Sequence, residues 1–88
     1  RIAQLCDTYN TPVSPHVGRG GTIALAATIQ FAATIPNFQN IEHMHQVHEQ
    51  RSKICTEYPS PVDGYFEVPD RPGLGMTIDE DVVRGYAI

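Results

Sequence analysis

Two residues of this chain combine a reactive side chain with a position that can expose it. His16 closes the extended stretch "TPVSPH" and is followed by Gly18, Gly20 and Gly21 and then by the apolar run "TIALAATIQFAATI". Glu42 closes the stretch "FQNIE" one segment later. An imidazole can take and return a proton near neutral pH. Taken singly, each has a plainer reading: a hydrogen-bonded structural histidine, and a solvated acid at a loop entrance. The pair says more than either member. Both follow an extended segment and precede a helical one, and in parallel β/α arrangements such positions open into one shared mouth.

Other groups carry weaker signals. "VGRGGT" lacks the Lys-Ser/Thr ending of a nucleotide phosphate loop. Backbone N–H groups around Gly20 and Gly21, at the start of the following helix, can still hold a substrate carboxylate or phosphate, with Arg19 assisting; a solvated loop arginine is the competing reading. "EHMHQVH" sets His43, His45 and His48 close together, and imidazoles are good metal ligands. Only 45 and 48 can share a helical face, however, and no cysteine or carboxylate completes a zinc pattern. These histidines are expected at the surface or at a subunit interface. "DED" at 79–81 reads as the acidic first turn of a helix.

The elements that would position His16 and Glu42 follow from punctuation and periodicity. Residues 1–10 suggest the end of an amphipathic helix with Ile2, Leu5, Cys6 and Tyr9 on one face. Pro12 and Pro15 force their predecessors into extended conformations, so 11–15 is expected to be a short strand, and 38–42 a second. Between them Thr22 is expected to cap a helix running to about Thr34, stopped by Pro36. That helix is apolar nearly all round, the pattern of a helix covered on most faces. "HMHQVHEQRSK" is polar and helical in character. Beyond it, Asp63-Gly64 signals a turn, "YFEV" alternates as a strand, "PDRPGLG" is a rigid loop, and Thr77 with Glu80 has capping-box spacing for a last helix. The order helix, strand, helix, strand, helix favours a parallel α/β arrangement. Two strands do not make a stable parallel sheet, so the pattern resembles the last units of something larger.

Composition narrows the class. At 88 residues the chain is one small domain at most, and starting at Arg1 in what reads as mid-helix it is expected to be a fragment. Ten acids against six Lys and Arg give a net charge of −4. No basic stripe with interleaved aromatics occurs, which argues against a nucleic-acid partner. The longest apolar run falls short of the ~20 residues needed to span a membrane, and the start of the chain does not resemble a signal peptide; a cytoplasmic setting without a membrane partner is the expectation. Cys6 and Cys55, far apart and outside any CxxC, read as buried free thiols in a reducing compartment, with a disulfide as the alternative.

"PHVGRGGTIALAATIQFAATIPNFQNIE" followed by "DGYFEVPDRPGLGMTIDEDVV" resembles the C-terminal part of the mandelate racemase/muconate lactonizing enzyme group of the enolase superfamily, and within it the acid-sugar, galactonate-type dehydratases. The resemblance covers almost the whole chain and is weakest over residues 43–60. It implies an α/β fold: residues 1–60 as about strands 7 and 8, with their helices, of a (β/α)8 TIM-type barrel, and residues 61–88 as a tail returning to an N-terminal capping domain. It implies that His16 is the general acid/base at the end of the seventh strand and that Glu42, at the end of the eighth, hydrogen-bonds a substrate carboxylate oxygen. It implies a Mg2+ cofactor whose ligands lie on strands outside this chain, the remainder of the barrel and the capping domain as partners, and a homo-oligomer.

The function so implied is dehydration of a sugar acid. His16 removes the proton alpha to a carboxylate, a protonated Glu42 donates to the developing oxyanion in a closed, dry site, and the enediolate expels the β-hydroxyl as water. Bound Mg2+ stabilises such an enediolate. Two alternatives remain at this point: a racemase or epimerase of the same superfamily, and a non-catalytic interaction module presenting His43, His45 and His48 to a partner.

Overall fold

The computed structural model describes residues 1–87. Helix α1, Ile2–Thr8, leads into an extended segment, and helix α2 spans Thr22–Ala32. A second extended segment follows. Then come a 3-10 turn at His45–Val47, helix α3 at His48–Ser52, strand β1 at Cys55–Thr56, strand β2 at Thr77–Ile78 and helix α4 at Glu80–Gly85. This is an α/β chain whose two extended segments run parallel on either side of α2 in sequence.

The expected strands at 11–15 and 38–42 contract to one parallel bridge, Val13 with Phe38. Val13 N–H donates to the Asn37 carbonyl at 2.8 Å, and Gln39 N–H to the Val13 carbonyl at 2.9 Å. Pro15 has no N–H to carry the ladder forward, and in the other direction the Thr11 N–H is already given to the Cys6 carbonyl at 2.9 Å. The bridge is reinforced from the side: the Asn37 amide donates to the Ala3 and Thr11 carbonyls at 3.0 and 2.9 Å, fastening α1 to both segments.

Helix α2 supplies the core. Leu25, Ala26, Ile29 and Ala32 are buried on one side, while Ile23 and Phe31 stand exposed on the other. Thr22 is not the N-cap expected of it. Gly21 occupies that position, and Thr22, fully buried as the first helical residue, donates its hydroxyl to the Arg51 carbonyl at 2.7 Å. A tertiary acceptor has outcompeted the local capping bond. The apolar face expected of α1 is also reversed: Ala3 is buried, whereas Ile2, Leu5 and Tyr9 are exposed and Cys6 is half-buried. Cys6 and Cys55 are both free thiols, and burial pushes the Cys55 thiol up.

The later segment folds back on the earlier one. Strands β1 and β2 pair antiparallel, Cys55 with Ile78 and Thr56 with Thr77, a ladder too short to show in the sequence pattern. Thr77 is therefore a strand residue, and Asp79 caps α4 instead, its carboxylate accepting from the Asp81 and Val82 N–H groups. The turn at Asp63-Gly64 forms with φ of 50° and 82°, closing a single Val62–Tyr65 bridge; beyond that bridge "YFEV" is not a strand. Gln30 of α2 donates to the Pro69 carbonyl at 3.1 Å, holding the Pro/Gly loop against the helix. Gly75 in that loop has φ +76°, and a Cβ there would collide with Pro69 Cβ. No helix of the described residues is long and apolar enough to cross a membrane.

Candidate active site

The Val13–Phe38 bridge sets the two extended segments side by side in the same direction, so the residues following them emerge at the same end. His16 Nδ1 lies 2.7 Å from Glu42 Oε2. Both side chains are open to solvent among the described residues, 75% for His16 and 48% for Glu42. Nδ1 is thus engaged, and Nε2 has no hydrogen-bond partner among the described residues. The ring lies over Gly18: a Cβ built on that glycine would stand 2.7 Å from His16 Nε2, and Gly18 has φ +52°, a conformation that glycine adopts without penalty.

The rest of the "VGRGGT" loop is arranged around this contact. Gly20 N–H donates to the Val17 carbonyl at 2.8 Å, and a Cβ at 20 would meet that oxygen at 2.8 Å and Ala24 Cβ at 3.0 Å. Gly20 therefore serves loop shape, and its N–H is already used. Gly21 is extended and open on all sides, and Arg19 is exposed with no ion pair among the described residues.

The loop is held from below by a residue that carries no signal in the sequence. Arg51 is 7% exposed, and its Nη2 donates to the Gly18 carbonyl at 2.7 Å. Within the polar run "HEQRSK" it reads as one more solvated cation; the contact that buries it lies more than thirty residues away in sequence. Gly18, two residues after His16, could have been singled out as a close-approach glycine.

Two of the three histidines depart from their expected surface setting. His43 and His48 are half-buried and meet edge to face with centroids 5.4 Å apart. His43 also packs on Phe66 at 5.4 Å, and His48 on Tyr58 at 4.9 Å. His45 stays exposed, stacked on His48 at 6.3 Å. Among the described residues neither His43 nitrogen has a hydrogen-bond partner. Burial lowers the His43 pKa, with His48, His45 and Arg51 adding repulsion. Burial likewise raises the Tyr58 phenol, which the Arg51 charge partly offsets. Among the described residues no three His, Cys, Asp or Glu side chains converge into a group that could hold a metal ion. An apolar recess of about 450 Å3, lined by Ile29, Phe38, Ile41, His43, Tyr65 and Phe66 among others, includes neither His16 nor Glu42.

The α/β order of the chain agrees with the comparison to known proteins. Residues 1–82 match the family model described as "Enolase C-terminal domain-like", and the chain belongs to that family. Sugar-acid dehydratases are among its curated relatives. It is 33% identical over 88 residues to D-xylonate dehydratase of Haloferax volcanii, and 36% identical over 90 residues to D-mannonate dehydratase of a Sphingomonas species. The match takes in 100% and 98% of this chain, which spans 21% of each relative. Among solved structures, a protein of Burkholderia SAR-1 assigned to the mandelate racemase/muconate lactonizing enzyme group superposes with a TM-score of 0.90 at 30% identity, over 99% of this chain and 21% of that one.

Proposed function

We propose that residues 1–88 are the C-terminal segment of a sugar-acid dehydratase, in which His16 removes the proton alpha to the substrate carboxylate. The observation that carries this reading is the His16–Glu42 contact at 2.7 Å, in a chain with relatives named for sugar-acid dehydration. In the larger protein, residues 1–60 would supply about strands 7 and 8 of a (β/α)8 barrel, and residues 61–88 would return to a capping domain. The exposed Ile23 and Phe31 would then meet the rest of the barrel.

In this reading Glu42 does two things. Its Oε2 accepts from His16 Nδ1–H, fixing the tautomer and leaving Nε2 as the nitrogen that receives the proton. Its carboxyl would also donate a hydrogen bond to the oxygen on which charge develops, once the rest of the barrel closes the site. The C–H bond breaks toward Nε2, and its electron pair forms the enediolate. The β-hydroxyl then leaves as water, taking the proton that His16 Nε2 received, and the resulting enol tautomerises to a 2-keto acid. Arg19 and the opening turn of α2 after Gly21 are assigned to the substrate's anionic end, Gly20 giving the loop its shape. Mg2+ chemistry would belong to residues outside 1–88, since the described side chains do not form a metal site.

The whole protein carrying this segment, incubated with a panel of sugar acids that includes D-xylonate and D-mannonate, should convert at least one to a ketone-bearing product lighter by one water. Epimers formed without loss of water would assign the racemase chemistry instead. A panel returned unchanged by a folded, metal-replete protein would contradict the reading.

A further inference from the structure

We propose that Arg51 is a positioning residue for His16: its guanidinium holds the Gly18 carbonyl, and so keeps the His16 ring on the side-chain-free face of Gly18 and within reach of Glu42. The inference rests on the assignment of His16 as proton carrier. A guanidinium in a protein interior is costly unless it is paired, and Arg51 is only 7% exposed. Among the described residues no carboxylate pairs with it. Its side-chain hydrogen bond goes to the Gly18 carbonyl, at 2.7 Å.

The arrangement is a double clamp. The Arg51 side chain holds Gly18, while the Arg51 carbonyl accepts the hydroxyl of Thr22 at 2.7 Å. Residues 18–22 are thereby gripped at both ends by one residue of α3. Gly18 sits at φ +52°, and the space where its Cβ would stand is taken by His16 Nε2 at 2.7 Å. A rotation of the peptide after Gly18 would shift the surface on which the ring rests. Arg51 makes no hydrogen bond or ion pair to His16 or Glu42 among the described residues, so its influence passes through Gly18.

The test uses the whole protein with 13C-labelled histidine and glycine, held well below its melting temperature. The parent should show a nuclear Overhauser signal between the His16 ring and the Gly18 α-protons. That signal should disappear in Arg51→Met and return in part in Arg51→Lys, which restores a charged donor. A merely stabilising arginine would lower the melting temperature of Arg51→Met and leave the signal at parent strength, and that result overturns the proposal. If Arg51→Met does not fold, Arg51→Gln, too short to reach the carbonyl, carries the same comparison. With D-xylonate as probe, kcat for exchange of the α-proton should fall about 10- to 100-fold with KM little changed. His16→Asn separates the two ideas. Exchange that survives it, while Arg51→Met abolishes the Overhauser signal, removes the proton-carrier assignment but not the clamp. Exchange abolished by it, while Arg51→Met keeps the signal, removes only the clamp.

Discussion

At Gly18 a missing side chain leaves the room that the His16 ring occupies. A methyl group there would meet the far end of the His16 ring, which can swing aside, and would hold alanine at φ +52°. The backbone cost is about 1–2 kcal/mol, small beside the functional effect of a displaced imidazole. Gly18→Ala should therefore fold, with urea denaturation showing a loss of that order, while its α-proton exchange falls disproportionately. Loss of activity no greater than the loss of stability would mean that the ring does not depend on this surface. Much of this residue-level arrangement is visible in the sequence. His16 and Glu42 stand out because each ends an extended segment flanked by helix signals. Arg51 does not, because its burial is decided by a tertiary interaction with Gly18 that no local pattern encodes.

Among the elements, α2 and α3 are coupled through Thr22. Thr22→Val keeps the shape and removes the hydroxyl, leaving the Arg51 carbonyl without that donor. The expected cost is about 1–3 kcal/mol, measurable by urea denaturation; an unchanged midpoint would show that the bond contributes nothing net. Thr22 and Thr77 carry one lesson. Both look like capping residues because local spacing is all a sequence offers, and in both the tertiary partner won, Arg51 in the first case and β1 in the second. The histidine segment leads to a pH prediction. His43 has its pKa lowered below 6.5 in the folded state, by burial first and then by His48, His45 and Arg51. Below that value the unfolded chain binds the proton more readily, so stability is fully present above about pH 6.5 and declines as pH falls toward the depressed value. The melting temperature should drop between about pH 7.5 and about pH 5, and His43→Phe should flatten that part of the profile. An unaltered slope would place the proton uptake elsewhere.

At the scale of the molecule, the parallel α/β order is legible in the sequence and the strand lengths are not. Pro15 on one side of Val13, and a Thr11 N–H already given to the Cys6 carbonyl on the other, hold the ladder to one bridge. The all-round apolar pattern of α2 signals a helix that needs cover on several sides: one side is buried here, and Ile23 and Phe31 are exposed on the other. Leu25 is fully buried in this core, and Leu25→Ala should cost about 2–5 kcal/mol in the same denaturation measurement. The central claim is that His16 carries the proton from the carbon alpha to a carboxylate, with Glu42 at its Nδ1. The most direct measurement is incorporation of solvent deuterium at that carbon by the whole protein, comparing the parent with His16→Asn. The account predicts exchange in the parent and its loss in a folded His16→Asn variant. Undiminished exchange in that variant would contradict it.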